Sequence, residues 1–304
     1  MVQIRKILKA DLEKLQQFWN RNVIYDRVSI DLLKEKIFDD MDYQPELTLI
    51  AEQDEQILSF VMGLVRQRGD TRIGWIKLFA TDKKHRRQGL ATELLNRIEK
   101  QLKNQKVSRI QVIDSTPNYL QPGIDPFYTE AVVFVERRGY KKIGDTSNLS
   151  VDLVNQDFDT SDEEKSLALR NIIIRRALPA DRDATMNLLS QFFPAWIPEV
   201  AQTFKNQPIS LHVALVRGGV EAFSAYDANN FNTGWFGPMG TNPQKRGLGV
   251  GGVLLKRCLQ DMKNQGHKVS IVPWVGPIPF YLHYANAKVD RVFWRYAKEV
   301  APTE

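Results

Sequence analysis

The feature that most constrains this chain is that it contains its own pattern twice. Ile4-Arg5-Lys6-Ile7-Leu8-Lys9-Ala10-Asp11 returns 170 residues later as Ile174-Arg175-Arg176-Ala177-Leu178-Pro179-Ala180-Asp181. Further along the offset becomes 160, with Gly74-Trp75 returning as Gly234-Trp235 and Arg86 as Arg246. Leu90, Leu94, Ile98 and Leu102 then return as Val250, Leu254, Cys258 and Met262, every fourth residue, which is the inner stripe of an amphipathic helix. Solenoids repeat every ~20–50 residues. A single repetition of a long mixed pattern therefore means two duplicated domains, and 304 residues give both room for a core.

Each copy reads as strand, helices, then strands. In the first copy, apolar runs at 48–51, 57–64 and 74–80 predict strands, followed by a glycine-containing loop, a helix of about four turns and a strand at 109–113. A helix near 129–138 and a final strand complete it. Long hairpin strands feeding a strand-loop-helix-strand unit predict an α/β fold with a mixed, partly antiparallel sheet. The expected organisation is an N-terminal domain at 1–154, an acidic linker at 155–170 and a C-terminal domain at 171–304. Within the linker, Ser161-Asp162-Glu163-Glu164 reads as a capping box opening a short helix.

The junction before each long helix carries the chemistry. Arg86-Arg87-Gln88-Gly89-Leu90-Ala91 and Arg246-Gly247-Leu248-Gly249-Val250-Gly251-Gly252 both read Arg-x-x-Gly-x-Gly/Ala between a strand and a helix. A helix start presents unpaired N–H groups and about half a positive charge. Glycine and alanine let an anion approach that backbone closely, and Lys83, Lys84, Arg86 and Arg87 add charge. A diphosphate suits such a pocket.

With these loops the chain resembles a tandem member of the GCN5-related N-acetyltransferase (GNAT) superfamily, over nearly its whole length. The two-copy layout is similar to that of the mycothiol synthases, whose C-terminal copy carries the activity. The resemblance implies two GNAT-like acyl-CoA N-acyltransferase domains and acetyl-CoA as the acyl donor, its pyrophosphate on the two loops. It further implies that backbone groups of the preceding strands, Phe79, Ala80 and Thr81 in one copy and Met239, Gly240 and Thr241 in the other, hold the pantetheine arm. Pro238 is awkward in a regular central strand, and the bulge found there in the family would accommodate it.

The family commonly uses a tyrosine early in the next helix to protonate the departing thiolate, a role that suits a phenol with an ordinary pKa of about 10. Phe280-Tyr281-Leu282-His283-Tyr284-Ala285-Asn286 matches that helix, with Tyr281 at the donor position and Tyr284 as a competing donor. In the first copy Phe134-Val135-Glu136-Arg137-Arg138-Gly139-Tyr140 places Val135 there, and valine carries no proton to give. The expectation is therefore a catalytic C-terminal copy and a structural or CoA-binding N-terminal one, with Glu221 or Asp227 as a base acting through water. Pro122-Gly123-Ile124-Asp125-Pro126 is an inserted turn that either caps the cleft or closes a loop.

Composition narrows the alternatives. The single Cys258 excludes an internal disulfide and any multi-cysteine metal cluster, and four His make a histidine-built metal centre unexpected. Cys258 falls on the buried stripe, so it reads as core. The net charge of +6 favours polyanions, yet no nucleic-acid motif accompanies Lys83-Lys84-His85-Arg86-Arg87, and coenzyme A is the simpler partner. No run of about 18 apolar residues offers a membrane span, and Met1-Val2-Gln3-Ile4-Arg5-Lys6 breaks into charge too early for a leader, so a cytoplasmic protein is expected. The expected acceptor is the primary amine of a small molecule. A protein lysine or a non-catalytic acyl-CoA sensor are the alternatives, and the tandem pair is expected to act as a pseudo-dimeric monomer or a homodimer.

Overall fold

The structure, a computed structural model, describes residues 1–300. Its described residues form two compact units: residues 1–146 together with 293–300, and residues 147–292. The second unit thus begins earlier than the repeat predicts and ends short of the C-terminus.

The first unit runs β1 (Gln3–Lys6), α1 (Leu12–Asn22), α2 (Ile30–Ile37), β2 (Thr48–Gln53), β3 (Gln56–Arg68), β4 (Thr71–Thr81), α3 (Leu90–Asn104), β5 (Arg109–Val112), α4 (Thr129–Arg137) and the start of β6 (Lys141–Asp152). Strands β1 to β4 pair antiparallel in chain order, and β4 pairs parallel with β5. The outer partner of β5 comes from the far end of the chain, with Tyr296 opposite Val112 and Glu299 opposite Arg109. Helices cover both faces. Leu94, Ile98 and Leu102 of α3 pack with Val132 and Val135 of α4 on one side, and Leu15, Phe18 and Trp19 of α1 with Leu33 and Ile37 of α2 on the other.

The second unit takes the remainder of β6, then α5 (Ser161–Ala168), β7 (Ile172–Arg176), α6 (Arg182–Phe192), α7 (Ile197–Thr203), β8 (Leu211–Val216), β9 (Gly219–Tyr226), β10 (Phe236–Thr241), α8 (Val250–Asn264), β11 (Val269–Val272), α9 (Ile278–Ala285) and the start of β12 (Lys288–Glu299). Strands β7 to β10 pair antiparallel, β10 meets β11 through a parallel bridge between Trp235 and Ile271, and β11 pairs with residues 149–152 of β6. The strand that follows α4 thus runs on into the second unit's sheet, and the strand that follows α9 runs on into the first's. Chain order alone cannot show such an exchange, because each strand fits its helix locally and finds its partners only in three dimensions.

The segment read as an acidic linker belongs to the second unit. It forms α5, with Thr160 rather than Ser161 at the N-cap, where the Thr160 hydroxyl meets the Glu164 carboxylate at 2.5 Å. Lys256 and Arg257 of α8 hold its Glu163 and Glu164 at 2.6 and 2.7 Å. Its acidic residues thus face the basic side chains of a neighbouring helix.

The repeated opening motif has a shared physical purpose. Arg5 grips Asp11 with two nitrogens at 2.6 and 2.8 Å, and Asp11 also accepts the Leu8 N–H. Arg175 grips Asp181 at 2.6 and 3.0 Å, with the Leu178 N–H in the same place. In each copy this bidentate clasp fastens the first strand to the start of the first helix. Among the described residues no helix is long and apolar enough to cross a membrane.

Candidate acyl-donor cleft

Both glycine loops have the same local geometry. Asp82 accepts the Lys84 N–H and Asn242 accepts the Gln244 N–H, each closing a tight turn after its strand. Gly89 and Gly249 stand before α3 and α8 at φ +83° and +85°, a left-handed conformation that glycine adopts freely. No side chain caps either helix, so the first amides of each are left for an anion.

The strands before the loops are also alike. In β4, Met62 opposes Leu78 and Gly63 opposes Ile76, so Lys77 is the extra residue of a bulge. Past Ile76, β4 parts from β5, whose pairing ends at Val112. In β10 the register slips between Phe236 and Met239. Pro238 sits in that bulge, as its lack of an N–H requires.

What fills the space beside the loops differs. In the first unit, a cavity of about 1180 Å³ is lined by Phe79, Ala80, Thr81, Arg86, Arg87, Gly89, Leu90 and Ala91, every residue predicted for this copy except Gln88. Gln88 instead turns its side-chain amide toward the Lys84 carbonyl at 3.4 Å. The inserted turn lines the cavity through Gly123, Ile124 and Asp125. Ile124 exchanges backbone hydrogen bonds with Trp294 of β12 at 2.8 and 2.9 Å, and the Tyr296 hydroxyl donates to Glu136 of α4 at 2.8 Å. The exchanged strand therefore braces two walls of the cavity.

In the second unit, aromatic rings occupy the corresponding surface. A Cβ on Gly240, the counterpart of Ala80, would lie 2.9 Å from the Phe193 ring, which itself stacks on Trp196. Gly251, the counterpart of Ala91, faces the Phe280 ring, and a Cβ on Gly252 would come within 2.3 Å of the Tyr284 ring. Gly252→Ala is accordingly expected to destabilise the second unit by about 1–3 kcal/mol, since an aromatic ring packed against helix backbone cannot retreat easily. Thermal unfolding would check this, with Gly251→Ala, whose Cβ has ordinary contact distances, as the neutral comparison.

The other predicted residues of this copy are placed as follows. Met239 packs with Tyr281 and Tyr284 in one cluster, while Thr241 closes β10. Arg246 ends the short turn after β10, and Gly247 holds φ +78° where the first copy has Arg87 at +61°. Leu248 and Val250 join the core with Leu254. Tyr281 is buried with its ring edge-on to Phe236 and Phe280, and burial pushes its hydroxyl up to about 12. Glu221 accepts a hydrogen bond from the Asn242 side chain at 2.5 Å, which ties it to the turn of the loop. Asp227 is buried and accepts the Asn232 N–H. Cys258 is fully buried, as its stripe position predicts, and burial drives its thiol well above the usual range.

Sequence reasoning missed the polar wall of the open cavity. Trp19, Asn22 and Asp26 line it from α1 and the loop that follows, and Gln121, Asp125 and Tyr128 from the loop before α4. The Gln121 amide donates to Asp26 at 2.9 Å, the Trp19 indole donates to the Asp26 carbonyl at 2.8 Å, and the Tyr25 N–H donates to the Tyr128 hydroxyl at 2.9 Å. A signal for Tyr128 was present, because Pro126-Phe127-Tyr128 repeats as Pro279-Phe280-Tyr281. Matching the copies at the ends of their last helices instead set Val135 opposite Tyr281. Val135 is a buried core residue.

Comparison with known proteins agrees with this anatomy. Residues 9–125 match the Acetyltransferase (GNAT) family. No curated protein sequence matches the chain. Among solved structures, the chain is similar to a GCN5-related glucosamine N-acetyltransferase region of a fungal multi-domain GH3 β-N-acetylglucosaminidase. The TM-score is 0.82 at 16% identity, covering 98% of this chain and 38% of that one. It is also similar to a GCN5-related N-acetyltransferase from Sphaerobacter thermophilus, with a TM-score of 0.70 at 16% identity over 100% of this chain and 97% of that one. A tandem GNAT protein from the clavulanic acid biosynthesis pathway gives a TM-score of 0.70 at 10% identity, covering 100% of both chains.

Proposed function

We propose that the N-terminal unit, whose residues 9–125 match the Acetyltransferase (GNAT) family in a chain with the fold of tandem GNAT proteins, binds acetyl-CoA and transfers the acetyl group to a primary amine of a small molecule. One observation carries this reading. A single cavity of about 1180 Å³ adjoins the uncapped start of α3, the free edge of β4 and a wall of polar side chains. Ligand sites commonly measure about 300–1,000 Å³, so there is room for a pantetheine arm and an acceptor together.

The residues present fit a doubly charged anion followed by a narrow apolar arm. The amides of Leu90, Ala91 and Thr92 lie at the positive end of α3, with Arg86 and Arg87 beside them. Beyond Ile76 the edge of β4 is released from β5 and offers the backbone of Phe79 to Thr81. Acetyl-CoA supplies an acetyl thioester, whose carbonyl carbon an amine attacks. In this chain, Asp26 is positioned to draw the ammonium group of the acceptor into the wall, where water carries away its proton. Tyr128, whose oxygen already accepts the Tyr25 N–H, is the proposed donor to the departing thiolate.

The sequence pattern alone favours Tyr281 for that donation, and the two assignments give opposite results in one experiment. Free-thiol release from acetyl-CoA across an amine panel is expected to fall about 10²–10⁴-fold in Tyr128→Phe, the usual weight of a positioned acid. Tyr281→Phe should stay within about twofold, because the hydroxyl it loses lies in a ring cluster. The reverse result would return the chemistry to the C-terminal unit. An absence of thiol release with every amine, together with no heat on coenzyme A titration, would end the acetyltransferase reading.

A further inference from the structure

Strand β5 ends in a conformation that the next residue resists. Ile113 holds φ +71°, where a β-branched side chain is a true outlier. The Asp114 N–H bonds back to the Val112 carbonyl at 3.0 Å and closes a three-residue γ-turn on Ile113, in the rare and strained form of that turn. Ile113 still donates its N–H to the Ile76 carbonyl at 2.8 Å, and there the pairing of β4 with β5 stops. A straight continuation of β5 would run on beside Leu78 and Phe79. The turn carries the chain away instead, so the strain at Ile113 leaves that edge of β4 beside the cavity, which Ile113 and Phe79 both line.

Strain of this kind persists only where the surrounding structure over-determines it. Asp114 is buried, and its carboxylate receives Arg295 Nε of β12 at 2.8 Å, the Trp75 indole at 3.1 Å and the Gln111 carboxamide at 3.4 Å. Of these three donors Arg295 alone is charged, which makes its bond the strongest. From β3, Arg66 reaches the Ser115 carbonyl at 2.6 Å and Arg68 the Thr116 hydroxyl at 2.9 Å. In the second copy the 160-residue offset sets Pro273 and Trp274 at the places of Ile113 and Asp114. Proline fixes φ at about −65° and tryptophan has no carboxylate, so that copy cannot build the same latch.

We infer that Asp114 and Arg295 are positioning residues for the acyl donor, their ion pair holding Ile113 in its left-handed turn and so keeping the edge of β4 free beside the cavity. This rests on the proposed acetyltransferase reading and adds to it what holds the donor site in shape. The test is calorimetric titration of coenzyme A into the full chain. Arg295→Gln is expected to raise Kd about tenfold, as it would if the turn were formed in about a tenth of the molecules. The variant should fold, because burial already raises the Asp114 carboxyl to about 6, and without the guanidinium it takes up a proton instead of staying as a bare charge. Adding Ile113→Gly should undo the loss, since glycine takes the left-handed turn without strain. The double variant should bind within about twofold of Ile113→Gly alone. Arg109→Gln removes a second ion pair between the same two strands, Arg109–Glu299 at 2.6 Å, and should bind as wild type does.

Equal weakening in Arg109→Gln, or a double variant as weak as Arg295→Gln, would overturn the inference, because either result makes the pair a general support of the fold. Should Arg295→Gln unfold, Asp114→Asn, whose side-chain oxygen still accepts from Trp75, is titrated in its place, with the same expected loss and the same rescue. No heat from the wild-type chain would sink the acetyltransferase reading and this inference with it. Binding by wild type with an unchanged Kd in Arg295→Gln sinks the inference alone.

Discussion

Asp40→Ala should cost the N-terminal unit about 3–5 kcal/mol, the usual penalty for stranding a buried charge. Asp40 is buried at the centre of a small ionic cluster. Lys77 Nζ reaches it at 2.5 Å and Arg66 Nη2 at 2.7 Å, and both cations are buried as well. Burial opposes the charge on Asp40, yet Lys77 and Arg66 hold its carboxyl below the usual range. Without it, Arg66 keeps Asp42 at 2.9 Å and the Ser115 carbonyl, but Lys77 keeps only the Lys36 carbonyl.

The pH dependence of that loss has a definite sign. Burial already pulls the Lys77 amine below the ordinary lysine value, and removing its carboxylate pulls it lower. An unfolded lysine titrates near 10.4, so between the folded value and about 10.4 the unfolded chain binds more protons. Stability therefore rises with pH across that window in both proteins, but in the wild type the folded Lys77 titrates at about 7, so the deficit of Asp40→Ala should shrink as pH rises from the variant's lower folded value to about 7 and stay level above it. Lys77→Met should cost less, because Asp40 retains Arg66. Denaturant unfolding of wild type and the two variants at pH 5.5 and 8 would decide it, and an equal loss at both values would remove Lys77 from the explanation. Since Lys77 forms the bulge of β4 and lines the cavity, this cluster also holds the strand whose edge is the proposed seat of the acyl donor.

Ala91→Trp should abolish measurable coenzyme A binding, by at least about 100-fold or roughly 2.7 kcal/mol. Ala91 stands in the first turn of α3 and lines the cavity, and it is partly exposed, so an indole there projects into the cleft and not into a packed core. The second unit already shows the effect in native form, because a ring covers the corresponding Gly251. Calorimetry with coenzyme A would measure the loss, with Arg246→Glu in the second loop as the comparison. Under the proposed reading that variant binds normally. Should Ala91→Trp bind as well as wild type while Arg246→Glu fails, the working site lies in the C-terminal unit.

Features written in short stretches of chain were legible without the structure. The stripe Leu94, Ile98, Leu102 is fully buried, and so is Leu254, Cys258, Met262, because helix period and apolarity are local. The glycine-relieved helix starts at Gly89 and Gly249 were equally readable, and the family resemblance implied the bulge around Pro238, while the left-handed backbone of the two glycines came from the structure. The proposed donor Tyr128 was harder to read. A single-register alignment of the last helices matched Tyr281 to Val135 and passed over the second Pro-Phe-Tyr triplet that ends at Tyr128. Asp26 and Gln121 gave no motif at all, because they meet across 95 residues of chain.

The sequence by itself determined that there are two related α/β units, each with an anion-ready helix start, because local backbone chemistry recurs wherever its residues recur. Only the tertiary structure decided that the first unit carries a large cavity beside its loop, and that the last strand of the chain completes the first sheet. Those outcomes depend on which distant side chains fill the space beside each loop. Phe193 packs against Gly240 and Tyr284 against Gly252 in one copy, while Ala80 and Ala91 line a cavity in the other. Packing is a property of neighbours in space, and a sequence names only neighbours along the chain.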